Sequence, residues 1–139
     1  MVEFIKIPAL LKNLRNTDMR NAEKALATID KTAPAKIGVN VTASQLNSAE
    51  KGTVLHFLKN ALAERGITPV AVASEDLENN HVAILSAFSA SVSSINSPDY
   101  VKRRLQVQDA VNAKNEYLKS VVKAHGLTHV VSDVPILLH

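Results

Sequence analysis

The sequence predicts an α+β domain, a ferredoxin-like β-α-β-β-α-β sandwich to which an N-terminal amphipathic helical segment is added. Two observations lead to this fold class. A strand-like run, a helix and a second strand fill residues 37–73, and the same three elements follow in residues 81–134. The alternative is a doubly wound α/β domain, because the long apolar strands could also pair in parallel.

Length and composition limit the architecture. At 139 residues the chain fits a single domain, with residues 1–33 as the N-terminal helical segment and residues 36–134 as the α/β core. It has no apolar run near the roughly 18 residues of a membrane span, and its first residues do not resemble a secretory signal. With no cysteine, disulfides and cysteine-ligated metals are excluded. We therefore expect a cytoplasmic protein without a membrane partner.

The N-terminal segment contains an amphipathic helix. Its apolar residues recur at steps of three and four and so share one face, which is formed by Met19, Ala22, Leu26 and Ile29. That face must be buried, either on the chain's own sheet or on another subunit. The second possibility predicts a homo-oligomer that associates through this helix.

The first half of the core starts with an alternating strand at residues 36–44. Asn47 and Glu50 have the spacing of a capping box, and the helix that they start ends at Gly66, a typical C′ glycine. In the strand that follows, Pro69 cannot donate a ladder hydrogen bond. That strand is therefore predicted to be an edge, or to start at the proline.

The second half contains the most apolar run, residues 81–88, which we predict to be the central strand. It follows an acidic connector at residues 74–80. Ser97 is then a predicted N-cap for a long helix that ends at Gly126, and residues 127–134 form the closing strand.

The predicted ligand site combines the loop after the central strand with the inward side of the long helix, where a pocket can open without breaking the sheet. Asn115 lies near an apolar stripe and needs a hydrogen-bond partner there, in the core or in a ligand. The candidate ligand-binding residues are Ser86, Phe88, Ser94, Asn96, Asn112 and Asn115. Catalytic residues are not assigned, although the connector offers acid–base groups in Glu75, Asp76, Glu78 and His81.

Cofactor and metal sites are not predicted. The four glycines form neither a dinucleotide nor a P-loop motif, so the usual glycine cradles for phosphates are missing from the sequence. His125 and His129 flank Gly126, but a metal site needs three or four converging ligands. We expect both histidines to lie on the surface.

The net charge of +3 is concentrated in residues 97–126, which hold six basic and three acidic side chains. A basic helix face of this kind could bind a polyanion such as a nucleic acid. Single-strand binders interleave such residues with aromatic platforms, and here only Tyr100 and Tyr117 are available. Nucleic-acid binding is therefore possible but not favoured.

Residues 81–134 resemble the N-terminal part of small phage-encoded proteins that include the S-adenosylmethionine lyases. The resemblance rests on Ser86-Ala87-Phe88 at the end of a predicted strand, on the helix around Asn112 and Asn115, and on Gly126-Leu127 before the last strand. It implies a homo-oligomer with sites at subunit boundaries and cleavage of S-adenosylmethionine to methylthioadenosine and homoserine lactone. The family's acidic site residue has no matched position in this chain.

Three functions follow from these observations. The favoured function is that of a small homo-oligomeric binding or assembly module, which could be of phage origin. Its expected partners are a second copy of the chain and a small-molecule ligand. The resemblance alone supports the second, a lyase acting on S-adenosylmethionine. The basic segment supports the third, an accessory protein that binds nucleic acid and is released by salt.

Overall fold

The computed structural model describes residues 2–31, 34–91, 96 and 98–134. Within them the chain forms, in order, β1 (Glu3–Lys6), α1 (Asn16–Asp30), β2 (Ile37–Thr42), α2 (Ala43–Asn47), α3 (Val54–Glu64), β3 (Val70–Ala73), α4 (Glu75–Ser91), α5 (Tyr100–His125) and β4 (His129–Ser132). No helix in this described part combines the length and the apolar character needed to cross a membrane.

The four strands form one sheet in the order β1-β4-β2-β3, and every neighbouring pair is parallel. Val131 of β4 pairs with Ile5 of β1 on one side and with Val39 of β2 on the other. The general prediction of a mixed α/β domain with helices on its sheet is confirmed. The ferredoxin-like order is not found, because that fold needs antiparallel neighbours.

Helix α4 is the element that the sequence analysis assigned wrongly. Residues 81–88, predicted as the central strand, lie in this helix, and the central positions of the sheet belong to β2 and β4. Three acids in the first turn favour a helix N-terminus, where Ser74 Oγ accepts a hydrogen bond from the Leu77 amide at 3.4 Å. Ile84 and Phe88 then continue at helical spacing on the half-buried side.

The two faces of the sheet carry different helices. On one face α1 and α3 pack over the larger core, which includes Leu26, Ile29, Val39, Leu55, Leu58, Leu62 and Val131. On the other face α5 covers a smaller core of Val72, Leu118, Leu127 and Val130. Gly38 lies beneath this second layer. A Cβ atom there would stand 2.6 Å from Leu127 and Val72, so close packing requires a glycine.

The N-terminal segment is part of this architecture. β1 pairs with β4, and α1 packs into the larger core, where Ala25, Leu26 and Ile29 are buried. The helix thus takes the first of its two predicted surfaces, the chain's own sheet. Met19, the first residue of the predicted face, is 37% exposed, and self-association through α1 stays a prediction.

Helices α4 and α5 form an antiparallel pair that extends beyond the sheet. Glu78 meets Lys114 near the carboxyl edge of the sheet, and Phe88 meets Tyr100 at the far end, with ring centroids 5.8 Å apart. The rest of α5, including Leu118, packs on the sheet. We name α4 together with residues 100–114 the α4–α5 hairpin. None of the described side chains of α4 is fully buried.

Candidate functional site

A crevice opens at the carboxyl edge of the sheet between β2 and β3. The chain leaves β2 toward α2 and α3 on one face, but it leaves β3 toward α4 and α5 on the other. Connections that diverge from adjacent parallel strands leave a gap, and open α/β sheets bind their ligands at this point. We name the gap the switch-point crevice. Its inner lobe has a volume of about 280 Å³ and its outer lobe about 430 Å³.

The floor of the crevice is a polar pair on the two central strands. Asn40 of β2 donates from Nδ2 to Oγ of Ser132 on β4, at 3.1 Å. Ser132 Oγ also accepts from the Val134 amide at 3.2 Å and donates to the Val134 carbonyl at 2.8 Å. These bonds fix the orientation of the Asn40 amide group, which lines both lobes.

The wall is a charged cluster at the base of the hairpin. Lys114 Nζ lies 3.1 Å from Oε2 of Glu78 and 3.2 Å from Nδ1 of His81. Burial lowers the pKa of His81, the Lys114 ammonium lowers it further, and the Glu78 carboxylate acts in the opposite direction. The imidazole is therefore neutral at pH 7. Since an ammonium can only donate, Nδ1 accepts and the imidazole proton resides on Nε2.

The rim of the outer lobe is formed by β2 and its following turn together with the start of α4. Ser44 donates to the Glu75 carboxylate at 3.2 Å, which connects the two sides. Thr42 and Gln45 form a capping box at the start of α2, in which the backbone N–H of Gln45 donates to Thr42 Oγ1 at 3.2 Å. Asp133 lies on the same rim, after the end of β4.

The charge of the crevice is negative. Its described charged lining consists of the carboxylates of Glu75, Glu78 and Asp133 and one ammonium, that of Lys114. With a neutral His81, three negative groups and one positive group leave a formal charge of −2. A site of this sign attracts cationic ligands and repels phosphates.

The N-termini of α3 and α4, as the structure describes them, offer no vacant phosphate site. Three acids occupy the first turn of α4. At α3 the amides of Val54 and Leu55 donate to the carbonyls of Lys12 and Leu10, at 3.1 and 2.8 Å, so the chain itself fills the anion position. The missing glycine cradles and the occupied N-termini of α3 and α4 both disfavour a ligand with phosphate groups.

Of the predicted ligand-binding residues, the structure places Asn115 in the crevice, half-buried on the inner lobe. Asn112 is exposed one turn earlier and accepts from Gln108 at 3.0 Å. Ser86 is exposed on α4, Phe88 packs against Tyr100, and Asn96 is exposed in a turn. Ser94 and the predicted N-cap Ser97 lie outside the described residues.

The sequence analysis found part of this lining and missed part. Glu75, Glu78 and His81 were recognised as acid–base groups, although on a connector rather than a helix. Asn40 and Lys114 were not recognised. The available signal for Asn40 was a polar residue near the end of a buried strand. Lys114 directly precedes Asn115, on the side of α5 that faces α4.

The histidines near Gly126 were predicted on the surface, and for His129 this is wrong. His129 is 1% exposed, its Nδ1 lies 2.7 Å from Thr128 Oγ1, and its Nε2 lies 3.3 Å from a carboxylate oxygen of Glu3. β4 is central rather than peripheral, which buries its first residue. Among the described residues no three histidine, aspartate or glutamate side chains converge as a metal site would require.

Several basic side chains of the long helix have partners within the chain. Lys114 pairs with Glu78, and Lys119 pairs with Glu116 at 3.3 Å. Arg103 is half-buried and donates to Gln106, whereas Arg104 is exposed. Nucleic-acid binding by this segment stays a prediction.

The resemblance to phage proteins also stays a prediction, and the strand on which part of it rests is helical, since Ser86, Ala87 and Phe88 belong to α4. The functional assignment therefore depends on the geometry of the crevice. No protein family, no curated protein and no solved structure matches this chain.

Proposed function

We propose that this chain is a binding module whose ligand, a small polar molecule without phosphate groups, occupies the switch-point crevice. The observation that supports this most directly is the convergence of Asn40, Glu78, His81, Lys114 and Asn115 on one concave site. Ligand sites combine a mostly apolar lining with a few such polar groups. Here Val72, Val111 and Leu118 supply the apolar part.

The polar groups define the chemistry of the ligand. Glu78 accepts hydrogen bonds, Lys114 donates them, and the amides of Asn40 and Asn115 can do both. Hydroxyl and amino groups are complementary to this set. The excess of carboxylates favours a positively charged ligand over an anionic one, because a nearby cation stabilises ionised carboxylates.

S-adenosylmethionine is a specific candidate of this class. It is a sulfonium cation with ribose hydroxyls and an amino group, and it has no phosphate. The negative crevice therefore supports the alternative function, an S-adenosylmethionine lyase, as far as the charge of the ligand is concerned. Cleavage to methylthioadenosine and homoserine lactone balances within the substrate, whose own carboxylate attacks Cγ while the Cγ–S bond breaks. The protein would therefore have to orient the substrate for this attack, and Glu78 and His81 are among the polar groups of the wall that could hold it.

The first experiment compares three probes by isothermal titration calorimetry. S-adenosylmethionine and S-adenosylhomocysteine differ by one methyl group and its positive charge, and ATP carries the phosphates that the crevice disfavours. We expect S-adenosylmethionine to bind at least about tenfold more tightly than S-adenosylhomocysteine. ATP should give no heat. Tight ATP binding would contradict the assigned ligand class.

A pair of variants tests the location. Asn115→Leu removes an amide from the inner lobe, while Asn112→Leu makes the same change one turn away on the exposed side of α5. Titrations of a panel of nucleosides, amines and polyols should give ligands that Asn115→Leu no longer binds and Asn112→Leu still binds. Circular dichroism checks that both variants fold. Ligands that bind both variants equally would place the site elsewhere.

The lyase alternative has its own readout. Wild-type protein is incubated with S-adenosylmethionine, and the products are separated by liquid chromatography with mass detection. Methylthioadenosine with homoserine lactone would support the lyase. Binding without products would leave a binding module.

A further inference from the structure

His81 is the group on the wall of the inner lobe whose charge can change close to neutral pH. It is half-buried on α4 and lines the lobe together with Glu78 and Lys114. Histidine is the side chain that ordinarily titrates between about pH 5 and about pH 8, whereas carboxylates and ammonium groups keep their charge across most of that range. A proton on His81 therefore changes the charge of the crevice while its other charged groups stay as they are.

The contact between Lys114 and His81 exists only while the imidazole is neutral. Lys114 Nζ lies 3.2 Å from Nδ1, and an ammonium can only donate, so Nδ1 must offer its lone pair. A proton on Nδ1 removes this lone pair and brings two cations face to face. They must then separate or share the carboxylate of Glu78, which lies 3.1 Å from Lys114 Nζ. Burial and the ammonium accordingly lower the pKa of His81, and Glu78 opposes them.

A cationic ligand in the inner lobe meets the same conflict. The volume of the lobe, about 280 Å³, is that of a sphere on the order of 8 Å across, so a charge inside lies within about one Debye length of the imidazole. Protonation of His81 changes the formal charge of the described charged lining from −2 to −1. It also draws on Glu78, the carboxylate of the wall. Both changes weaken the attraction of the crevice for a cation.

We propose that a proton on His81 and a cationic ligand oppose each other's binding in the switch-point crevice, so that the site loses affinity for its ligand as the pH falls. This regulation rests on the proposed function, because it needs a ligand in the crevice. The charged groups that face His81 are Lys114 on α5 and Glu78 on its own helix, while Glu75 and Asp133 lie on the outer lobe. The coupling is reciprocal, so the ligand lowers the proton affinity of His81 by the same factor.

Calorimetric titrations of the full chain at two pH values test the ligand side of this coupling. S-adenosylmethionine and S-adenosylhomocysteine serve as probes, because they differ by one methyl group and its positive charge. Between about pH 7.5 and about pH 5, the affinity for S-adenosylmethionine should fall about threefold to tenfold more than that for S-adenosylhomocysteine. Equal falls would overturn the inference and leave the proposed function in place.

The failure of the proposed function gives a different result. It would appear as the absence of binding at about pH 7.5 both by these probes and by the panel of nucleosides, amines and polyols. The inference would be overturned with it. An amine of the panel that binds is compared at the two pH values in the same way, with a neutral analogue of similar size.

Two variants test whether His81 is the group responsible. His81→Gln keeps a side chain that can accept from Lys114 but cannot take up a proton near neutral pH, so the excess pH dependence for the cationic probe should shrink to about twofold or less. His125→Gln is the matched control, because His125 is exposed and lies before β4, at the opposite edge of the sheet. It should keep the wild-type pH dependence. Circular dichroism checks that both variants fold. Wild-type pH dependence in His81→Gln would overturn the inference.

NMR titration of the imidazole signals tests the proton side. The signals of His81 are identified by their absence from His81→Gln, and in the free protein they should titrate below about pH 6.5. In Lys114→Gln the midpoint should rise, because the neighbouring cation is removed. Saturation with S-adenosylmethionine should lower the midpoint by the factor that the calorimetry gives. A midpoint that does not move in the saturated protein would overturn the inference even though the ligand binds.

Discussion

The sheet and the α4–α5 hairpin differ in how far their side chains are buried, although α5 contributes to both regions. Every residue of β4 is buried, and five of the six in β2 are, with helices on both faces. In α4 none of the described side chains is fully buried. The strands therefore lie among buried apolar side chains, whereas the side chains of α4 remain partly or fully exposed to solvent. The switch-point crevice lies where the two regions meet, so its floor is on the sheet and its wall is the half-buried base of the hairpin.

The largest expected effect contrasts one leucine from each region. Leu58 of α3 is fully buried in the larger core, and Leu105 of the hairpin is 59% exposed. Leu58→Ala should lower the free energy of unfolding by about 2–5 kcal/mol, because it removes apolar contacts and leaves a cavity. Leu105→Ala should change the free energy of unfolding by about 0.5 kcal/mol or less, because the residue is exposed. Urea unfolding of dilute protein measures both, and equal losses would contradict the division into two regions.

The next effect concerns the packing of α5 on the sheet. Gly38→Ala places a methyl group against Leu127 and Val72, so the layer of α5 must shift. We expect a loss of about 1–3 kcal/mol in unfolding free energy. Amide hydrogen exchange should show faster exchange in the second half of α5 and little change in α1 and α3. Uniform acceleration in all helices would mean that the two faces of the sheet do not respond separately.

A smaller effect separates a buried acid from an exposed ion pair. Asp18 is 3% exposed and accepts from the Arg15 amide at 3.1 Å in the capping box of α1. Asp18→Ala should cost about 0.5–2 kcal/mol. Glu116→Ala breaks only the exposed pair with Lys119 and should cost about 0.5 kcal/mol or less. Thermal unfolding of both variants compares the two losses of stability. A larger loss for Glu116→Ala than for Asp18→Ala would contradict the prediction.

The parts of the fold that the sequence predicted are those with local signals. β2 lies within the predicted strand at residues 36–44, and β3 is an edge strand that starts just after Pro69. Gly66 and Gly126 both end helices with positive φ, 71° and 62°. Such capping and turn signals act over a few residues, so they do not depend on the tertiary fold.

The error in α4 has a physical cause. A run of apolar residues over 81–88 fits a buried strand or a helix equally well when only its hydrophobicity is considered. The deciding signals were the acids of the first turn, which had been assigned to a solvated connector. A strand at residues 81–88 implies the doubled β-α-β order, whereas a helix there leaves the four strands of the parallel sheet.

The candidate site was predictable only in part for the same reason. Asn115 was found because a polar residue near an apolar stripe needs a partner. The crevice itself depends on β2 and β3 being adjacent and parallel, which brings Asn40 and Glu78 to one edge. Strand order is a long-range property, so the residues that meet there share no local pattern in the sequence.

The smallest effect tests the electrostatics at the junction of the two regions. In the folded chain burial and the Lys114 ammonium hold the pKa of His81 below its usual value, with Glu78 opposing. In the unfolded chain the same imidazole titrates near about 6.5. The unfolded state therefore binds the proton first as the pH falls, and stability present above about pH 6.5 is lost progressively below it.

His81→Gln removes this contribution, so its unfolding free energy should fall less than that of the wild type between about pH 7.5 and about pH 5. Urea unfolding at both pH values, taken as the difference between variant and wild type, cancels the other titrating groups. Lys114→Gln should also flatten the slope, because the imidazole loses the cation that disfavours its protonated form. A His81→Gln protein with the full wild-type slope would show that the base of the hairpin opens to water, and the crevice would then lack its wall.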